Sequence, residues 1–176
     1  GIHCGIRKNQ TKKDLAMIKS DNLCTAAAVY TQNKVYGAPI TVTKNNISNG
    51  YAQAVIVNSG NANTCNSDGV EKAQMMCDIA AKSLNIKADD VIVASTGVIG
   101  MSLDVTPIAD SADELAAQMT ENGGHDAAEA IMTTDTVHKE VAVTFEIAGK
   151  TVTLGGMSKG SGMIHPNMCT MLGFLT

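Results

Sequence analysis

ITVTKNNISNGYAQAVIVN, residues 40–58, is the stretch on which the fold turns. Its two ends, ITVTK and YAQAVIVN, carry the β-branched residues of strands. Asn49-Gly50 between them tolerates positive φ. The stretch therefore predicts an antiparallel hairpin. Towards the N-terminus, DLAMI (14–18) and TAAAVYT (25–31) read as two more short strands separated by polar breaks. Towards the C-terminus, NSGNANTCNSDG (58–69) predicts a long polar loop whose amide side chains satisfy its own backbone.

Asp68 and Glu71 then form a capping-box variant opening a helix. Val70, Ala73, Met76, Cys77, Ala80, Ala81 and Leu84 fall on one face of it. VIVAS (91–95) predicts a buried strand running into TGVIG (96–100). A further helix is expected over 107–119, stopped by Asn122-Gly123-Gly124, and a short one over 126–132. HKEVAVTFEIAGKTVTLGG (138–156) alternates and turns at Gly149-Lys150, giving a second hairpin. Hairpins with helices between them place the chain in a mixed α/β (α+β) class with substantial antiparallel pairing. The 176 residues suit one domain, 1–176.

Composition narrows the function. At 44% hydrophobic and 17% charged residues the chain can bury a core and is not disordered. A net charge of -4 without a basic stripe argues against nucleic acid. Aromatics are 3% with no Trp, so stacking platforms for bases are not expected. No apolar run is long enough to span a membrane. Five cysteines (Cys4, Cys24, Cys65, Cys77, Cys169) without a CxxC pair read as reduced thiols of a cytoplasmic protein. Their spacing offers no metal-ligand pair, and no metal site is expected. The first residue is Gly1 and not Met, which raises the expectation of an upstream segment.

GMSKG (156–160) matches G-x-S-x-G, but no Asp or Glu follows Ser158 and Pro166 stands where a helix should run, so the serine-hydrolase reading fails. Lys159 lacks the preceding glycines of a phosphate loop. TGVIG reads either as an ordinary glycine turn or as a turn whose backbone N–H groups face a ligand, as oxyanion donors do. TTD (133–135) either ends a helix or meets a polar substrate. The histidines His3, His125, His138 and His165 are scattered and read as ordinary surface or core residues. Thr170 lies between a Pro166-Asn167-Met168-Cys169 approach and an apolar MLGFL continuation. That setting suits a nucleophile at the start of a buried element, or a Thr packed in a glycine-rich loop.

GMSKGSGMIHPNMCTMLGF (156–174) closely resembles the signature of the ornithine acetyltransferase (glutamate N-acetyltransferase, ArgJ) family. VNSGNANTC, VASTGVIG and IMTTDTVHKE resemble that family's other blocks in the same order, and together they span nearly the whole chain. The resemblance implies layered sheets with antiparallel hairpins flanked by helices, the self-cleaving DmpA/ArgJ-like αββα fold. It implies a precursor cut between Cys169 and Thr170, with this chain as the α piece plus the first residues of β. It also implies an acetyl group carried by Thr170 from N-acetylornithine to glutamate in arginine biosynthesis. Thr96 and Gly97 then correspond to the oxyanion pair, and Thr133 and Lys159 to substrate contacts, with Thr170 itself also meeting substrate. The partner implied is the β chain, in an α2β2 heterotetramer. No cofactor is implied, and acetyl-CoA stays open as a co-substrate. The residue before the cut is usually Ala in the family; here it is Cys169.

Chemically, the Thr170 hydroxyl would attack the Cys169 carbonyl, shifting the acyl group from N to O, and water would release the ester. The freed α-amino group, with an ordinary pKa of about 7.7–8.0, becomes a general base beside its own hydroxyl. An amidohydrolase or aminopeptidase of the same self-cleaving kind, or a non-catalytic assembly subunit, are the competing readings.

Overall fold

The structure is a computed structural model describing residues 1–162 and 171–176. The sequence expectations on His165, Cys169 and Thr170 lie outside the described residues. The elements run β1 (Leu15–Thr25), α1 (Ala38–Asn46), β2 (Tyr51–Asn61), α2 (Gly69–Leu84), β3 (Val91–Val98), α3 (Thr106–Ala117), α4 (Gly124–Ala130), β4 (Lys139–Ile147), β5 (Lys150–Lys159) and β6 (Leu172–Leu175). They build two three-stranded sheets, β1-β2-β3 and β4-β5-β6.

The opening stretch corrects the first expectation. ITVTK is not a strand: it lies inside α1, and no hairpin joins it to β2. Pro39 stands in the first helical turn, where its missing N–H costs nothing. The buried positions of α1 are Pro39, Val42, Thr43 and Asn46, which recur at helical and not strand spacing. TAAAVYT is not a strand either; residues 26–33 are irregular. The strand opening at DLAMI continues to Thr25 and pairs antiparallel with β2.

Burial divides along the two faces of the first sheet. Leu15, Met17, Ala54, Ile56, Val91 and Val93 pack under α1, α2 and α3. On α2 the expected face is buried at Ala73, Met76, Cys77, Ala80, Ala81 and Leu84, whereas Val70, one residue into the helix, is half-exposed. Asp68 occupies the N-cap without a side-chain cap bond, its carboxylate being taken by Ser102 and Asn66. The opposite face packs Ala16 and Val57 against α4 and against Met157 of the second sheet. The layers are thus helices, sheet, sheet. Cys4, Cys24, Cys65 and Cys77 are free; burial, reinforced by Asp78, pushes the Cys77 thiol up to about 12.

β3 is the outer strand of its sheet and would present unpaired backbone groups. α1 covers that edge with side chains. The Thr43 hydroxyl donates to the Val93 carbonyl (2.8 Å) and accepts from the Val93 N–H (3.1 Å). Asn46 Nδ2 donates to the Val91 carbonyl at 2.9 Å.

The second hairpin turns at Ala148-Gly149, close to the expected place. Directly opposed residues share a face, so the register Val143↔Leu154 and Phe145↔Val152 puts Val141, Val143, Phe145, Ile147, Val152 and Leu154 on one side. All six are exposed.

Thr43→Val keeps the side-chain shape and removes the hydroxyl, stranding both Val93 groups. It should lower stability by about 1–3 kcal/mol, the cost of unsatisfied buried polar groups. Urea unfolding measures this, and an unchanged midpoint would mean that α1 does not close the sheet edge.

Candidate functional site

Thr96 and Gly97 sit inside β3, not in the turn after it. β2 and β3 run parallel here, and the pairing Ser59↔Thr96 and Gly60↔Gly97 ends in a bulge at Asn61. Gly97 has φ +136, and a Cβ built on it would lie 2.3 Å from the Gly60 carbonyl carbon. Only a glycine permits this backbone approach. A cavity of about 980 Å³ opens beside the strand end. Its walls include Thr96, Ser95, Tyr30, Tyr36, Ser158 and Met171. The Thr96 hydroxyl is buried and has no hydrogen-bond partner among the described residues. The same holds for Ser95 Oγ and for the Tyr30 hydroxyl.

Polar side chains fix the strand-end loops. Asn61 Nδ2 donates to the Met101 and Ser102 carbonyls (3.2 and 3.3 Å), while its Oδ1 accepts from the Asn63 N–H at 2.7 Å. The Ala62 N–H donates to the Val98 carbonyl, and the Gly100 N–H to that of Thr64. The expected self-satisfying amides of NSGNAN are present, but its first four residues belong to β2 and are largely buried. The turn following Thr96-Gly97 is therefore braced from β2.

Lys159 ends β5, and its side chain is buried. Its Nζ donates to the Gly160 carbonyl at 2.6 Å and lies 3.8 Å from Asp135 Oδ2. Burial pushes its ammonium below the ordinary value; Asp135 opposes this, and the charges of Lys139 and Arg7 add to it. Asp135 is the hub. Its Oδ1 accepts from Lys139 Nζ (2.7 Å) and the Gly160 N–H (2.9 Å), and its Oδ2 from the Thr133 N–H (3.3 Å). Burial pushes its carboxyl up, but these hydrogen bonds and the Lys159 charge outweigh it and hold the group below the usual carboxylate range.

The structure joins Thr133 and Lys159 through Asp135. It connects that cluster to the strand end through Ser59, whose hydroxyl donates to the Ala130 carbonyl at 2.5 Å, and through Arg7, whose guanidinium donates to the Met132 carbonyl. Arg7 also packs against Gly60, where a Cβ would meet its side chain at 2.9 Å. Asp135 and Arg7 were missed in the sequence. Their only signal is that Asp135 closes the TTD block, while Arg7 stands in a chain without a basic stripe.

A braced strand end whose hydroxyl has no partner among the described residues, beside a cavity and a buried lysine–carboxylate cluster, is the kind of concave site at which α/β proteins hold small molecules. More specifically, residues 1–176 match the ArgJ family, and the chain belongs to it. It is 46% identical over 176 residues to the arginine biosynthesis bifunctional protein ArgJ of Caldanaerobacter subterraneus, matching 99% of this chain and 43% of that protein. The Symbiobacterium thermophilum protein of the same name is 51% identical over 166 residues, 94% of this chain and 41% of that protein. The chain thus spans less than half the length of these curated relatives. The crystal structure of ArgJ from Bacillus halodurans superposes with a TM-score of 0.87 at 44% identity, over 98% of this chain and 88% of that one. The ornithine acetyltransferase of Mycobacterium tuberculosis, solved with ornithine, also gives 0.87, at 35% identity over 94% and 89%. The mixed α/β fold with sheets flanked by helices is therefore the ArgJ fold. Among the described residues no helix is long and apolar enough to cross a membrane.

Gly97→Ala should cost roughly 3 kcal/mol or more, because positive φ and a backbone collision coincide. Gly100→Ala, at φ +77 with open space around it, should cost only about 1–2 kcal/mol. Urea unfolding of the two variants compares them directly; equal losses would remove the Gly60 contact as the cause.

Proposed function

We propose that this chain is the α portion of an acetyltransferase that moves acetyl from N-acetylornithine to glutamate. It is made by self-cleavage between Cys169 and Thr170, and Thr170 carries the acetyl group. The observation that supports this most directly is the buried Thr96 hydroxyl on the cavity wall without a partner among the described residues. Leaving such a donor unsatisfied costs about 1–3 kcal/mol, a cost that makes sense if the donor serves an oxyanion formed during turnover. The Gly97 N–H is the second donor of the pair. Acyl transfer then follows a ping-pong course. The Thr170 oxygen bonds to the acetyl carbon and ornithine leaves with the proton taken by the Thr170 amine. The glutamate amine then attacks the acetyl ester and returns Thr170 to its starting form.

Lys159 and Thr133 hold the amino-acid substrate. A buried ammonium already beside one carboxylate can exchange partial pairing for a substrate carboxylate. No cofactor enters this scheme, and acetyl-CoA would serve only as an alternative acetyl donor. The family's place in arginine biosynthesis rests on the names of the curated relatives.

The partner is the β piece of the same precursor, assembled as α2β2 in the cytoplasm. Two observations favour a two-chain protein. The solved Bacillus halodurans chain is covered to 88%, whereas the curated relatives are covered to 43%, so that solved chain is about half their length. The exposed apolar face of β4–β5 also asks for a covering layer. The β piece laid on that face would complete the αββα arrangement.

Expressed as the full-length precursor, Thr170→Ala should remain uncut and transfer no acetyl; normal processing and turnover would end the proposal. Thr96→Val should lower kcat roughly 10²–10³-fold, the scale for one oxyanion donor, with the fold intact by circular dichroism. Acetylornithine consumption followed with and without glutamate separates transfer from hydrolysis, since a hydrolase would not need the acceptor.

A further inference from the structure

Two histidines that the sequence leaves apart meet at the junction of α4 and β4. The His125 and His138 rings stand edge to face with centroids 4.3 Å apart. Glu140 Oε1 lies 2.8 Å from His125 Nδ1 and 3.7 Å from His138 Nε2. One donor atom from each of the three lies within 4.8 Å of the other two. All three side chains are exposed, so an ion can reach them.

We propose that His125, His138 and Glu140 form a surface site for a borderline divalent transition metal such as Zn²⁺. Two imidazoles and one carboxylate are the donor set that zinc takes in tetrahedral sites, at about 2.0–2.2 Å. Tetrahedral bonds of that length place donor atoms about 3.3–3.6 Å apart, so small side-chain rotations complete the geometry. Hard cations that prefer all-oxygen surroundings do not fit it. The fourth position faces water. His125 Nε2 lies 3.6 Å from Glu129 Oε1, near enough for that carboxylate to take up the Nε2 proton once Nδ1 binds the metal. Glu129 is not counted as a ligand, because its other oxygen is engaged by Lys13 Nζ at 2.9 Å.

The position gives the site a consequence. His125 lies in the first turn of α4, whereas His138 and Glu140 flank the start of β4. Between them runs the segment carrying Thr133 and Asp135. A bound ion ties the two ends of that segment together and so restrains the Asp135 cluster against Lys159. In the sequence these histidines read as ordinary surface or core residues and no metal site is expected, because they become neighbours only through the packing of α4 against the second sheet.

The test is a Zn²⁺ titration of the full-length processed protein by isothermal calorimetry, with Mg²⁺ as the control. Zinc should bind once per protomer at this site and Mg²⁺ should not compete. His125→Ala and His138→Ala should each weaken zinc at least tenfold. The exposed thiols Cys24 and Cys65 are the rival ligands; Cys24→Ser with Cys65→Ser should keep the affinity. Hydrogen exchange over residues 131–137 should slow with Zn²⁺ in the wild type and not in His138→Ala. A zinc-edge anomalous peak among His125, His138 and Glu140 in crystals of the wild type would place the ion independently of any variant. Unchanged affinity in both histidine variants, loss of binding with the thiols, or a peak elsewhere would overturn the site.

Discussion

The strand-end cavity and the cluster beside it depend on one close approach, that of Gly60 to Gly97. Where β2 and β3 end, their backbones come nearer than any Cβ allows. The consequence is a bulge at Asn61, paired at once with Thr96 and Val98. Bulges re-aim side chains near functional sites. Here Thr96 is left on the cavity wall and Arg7 is pressed against the outer side of Gly60. Arg7 then reaches the Met132 carbonyl just beyond α4, and so carries the position of the strand end to the Thr133–Asp135 segment. The placement of Thr96 and of the Thr133–Asp135 segment therefore has a common origin in two residues without side chains.

Asparagines make that approach rigid. A bulge exposes backbone groups that a regular ladder would pair, and in a buried place each must find a partner. Asn58 Nδ2 serves the Asn61 carbonyl, Asn61 serves Met101, Ser102 and Asn63, and Asn63 Nδ2 serves the Gly69 carbonyl at the start of α2. Amides suit this better than carboxylates because each donates and accepts without a charge to desolvate. The same network leads from the cavity to the first turn of α2, whose buried face anchors the whole first sheet.

The legible elements were those whose periodicity answers to one packed surface. The α2 stripe from Ala73 to Leu84 and the VIVAS strand face the packed core, so sequence spacing suffices, while the β4–β5 alternation is legible from its period of two alone, its apolar face being exposed. ITVTK misled because β-branched residues in a helix look like a strand until the edge of β3 is present to accept Thr43 and Asn46. Thr96, Gly97, Thr133 and Lys159 were legible only through resemblance; their local sequence also suits plain turns. Asp135, Arg7 and the His125–His138 contact were not legible, because each gains its meaning from a partner distant in sequence. Val70 shares the spacing of the buried face, yet at the second position of α2 it is half-exposed.

The buried Lys159–Asp135 pair shows how the scaffold balances charge where it must also bind. A lone ammonium removed from water is costly, and a buried pair rarely repays its own desolvation. Asp135 does not pair with Lys159 alone: its nearer contacts are Lys139, the Gly160 N–H and the Thr133 N–H, with Lys159 Nζ at 3.8 Å. The carboxylate is thus stabilised as an anion whether or not Lys159 stays close. That frees Lys159 from being the sole counter-charge, and its lowered proton affinity reflects incomplete compensation. A fully neutralised lysine would have little left to offer a ligand. One beside a carboxylate already committed elsewhere, and donating to the Gly160 carbonyl, keeps its charge without depending on that carboxylate alone, which is the physical basis of the substrate contact proposed for it.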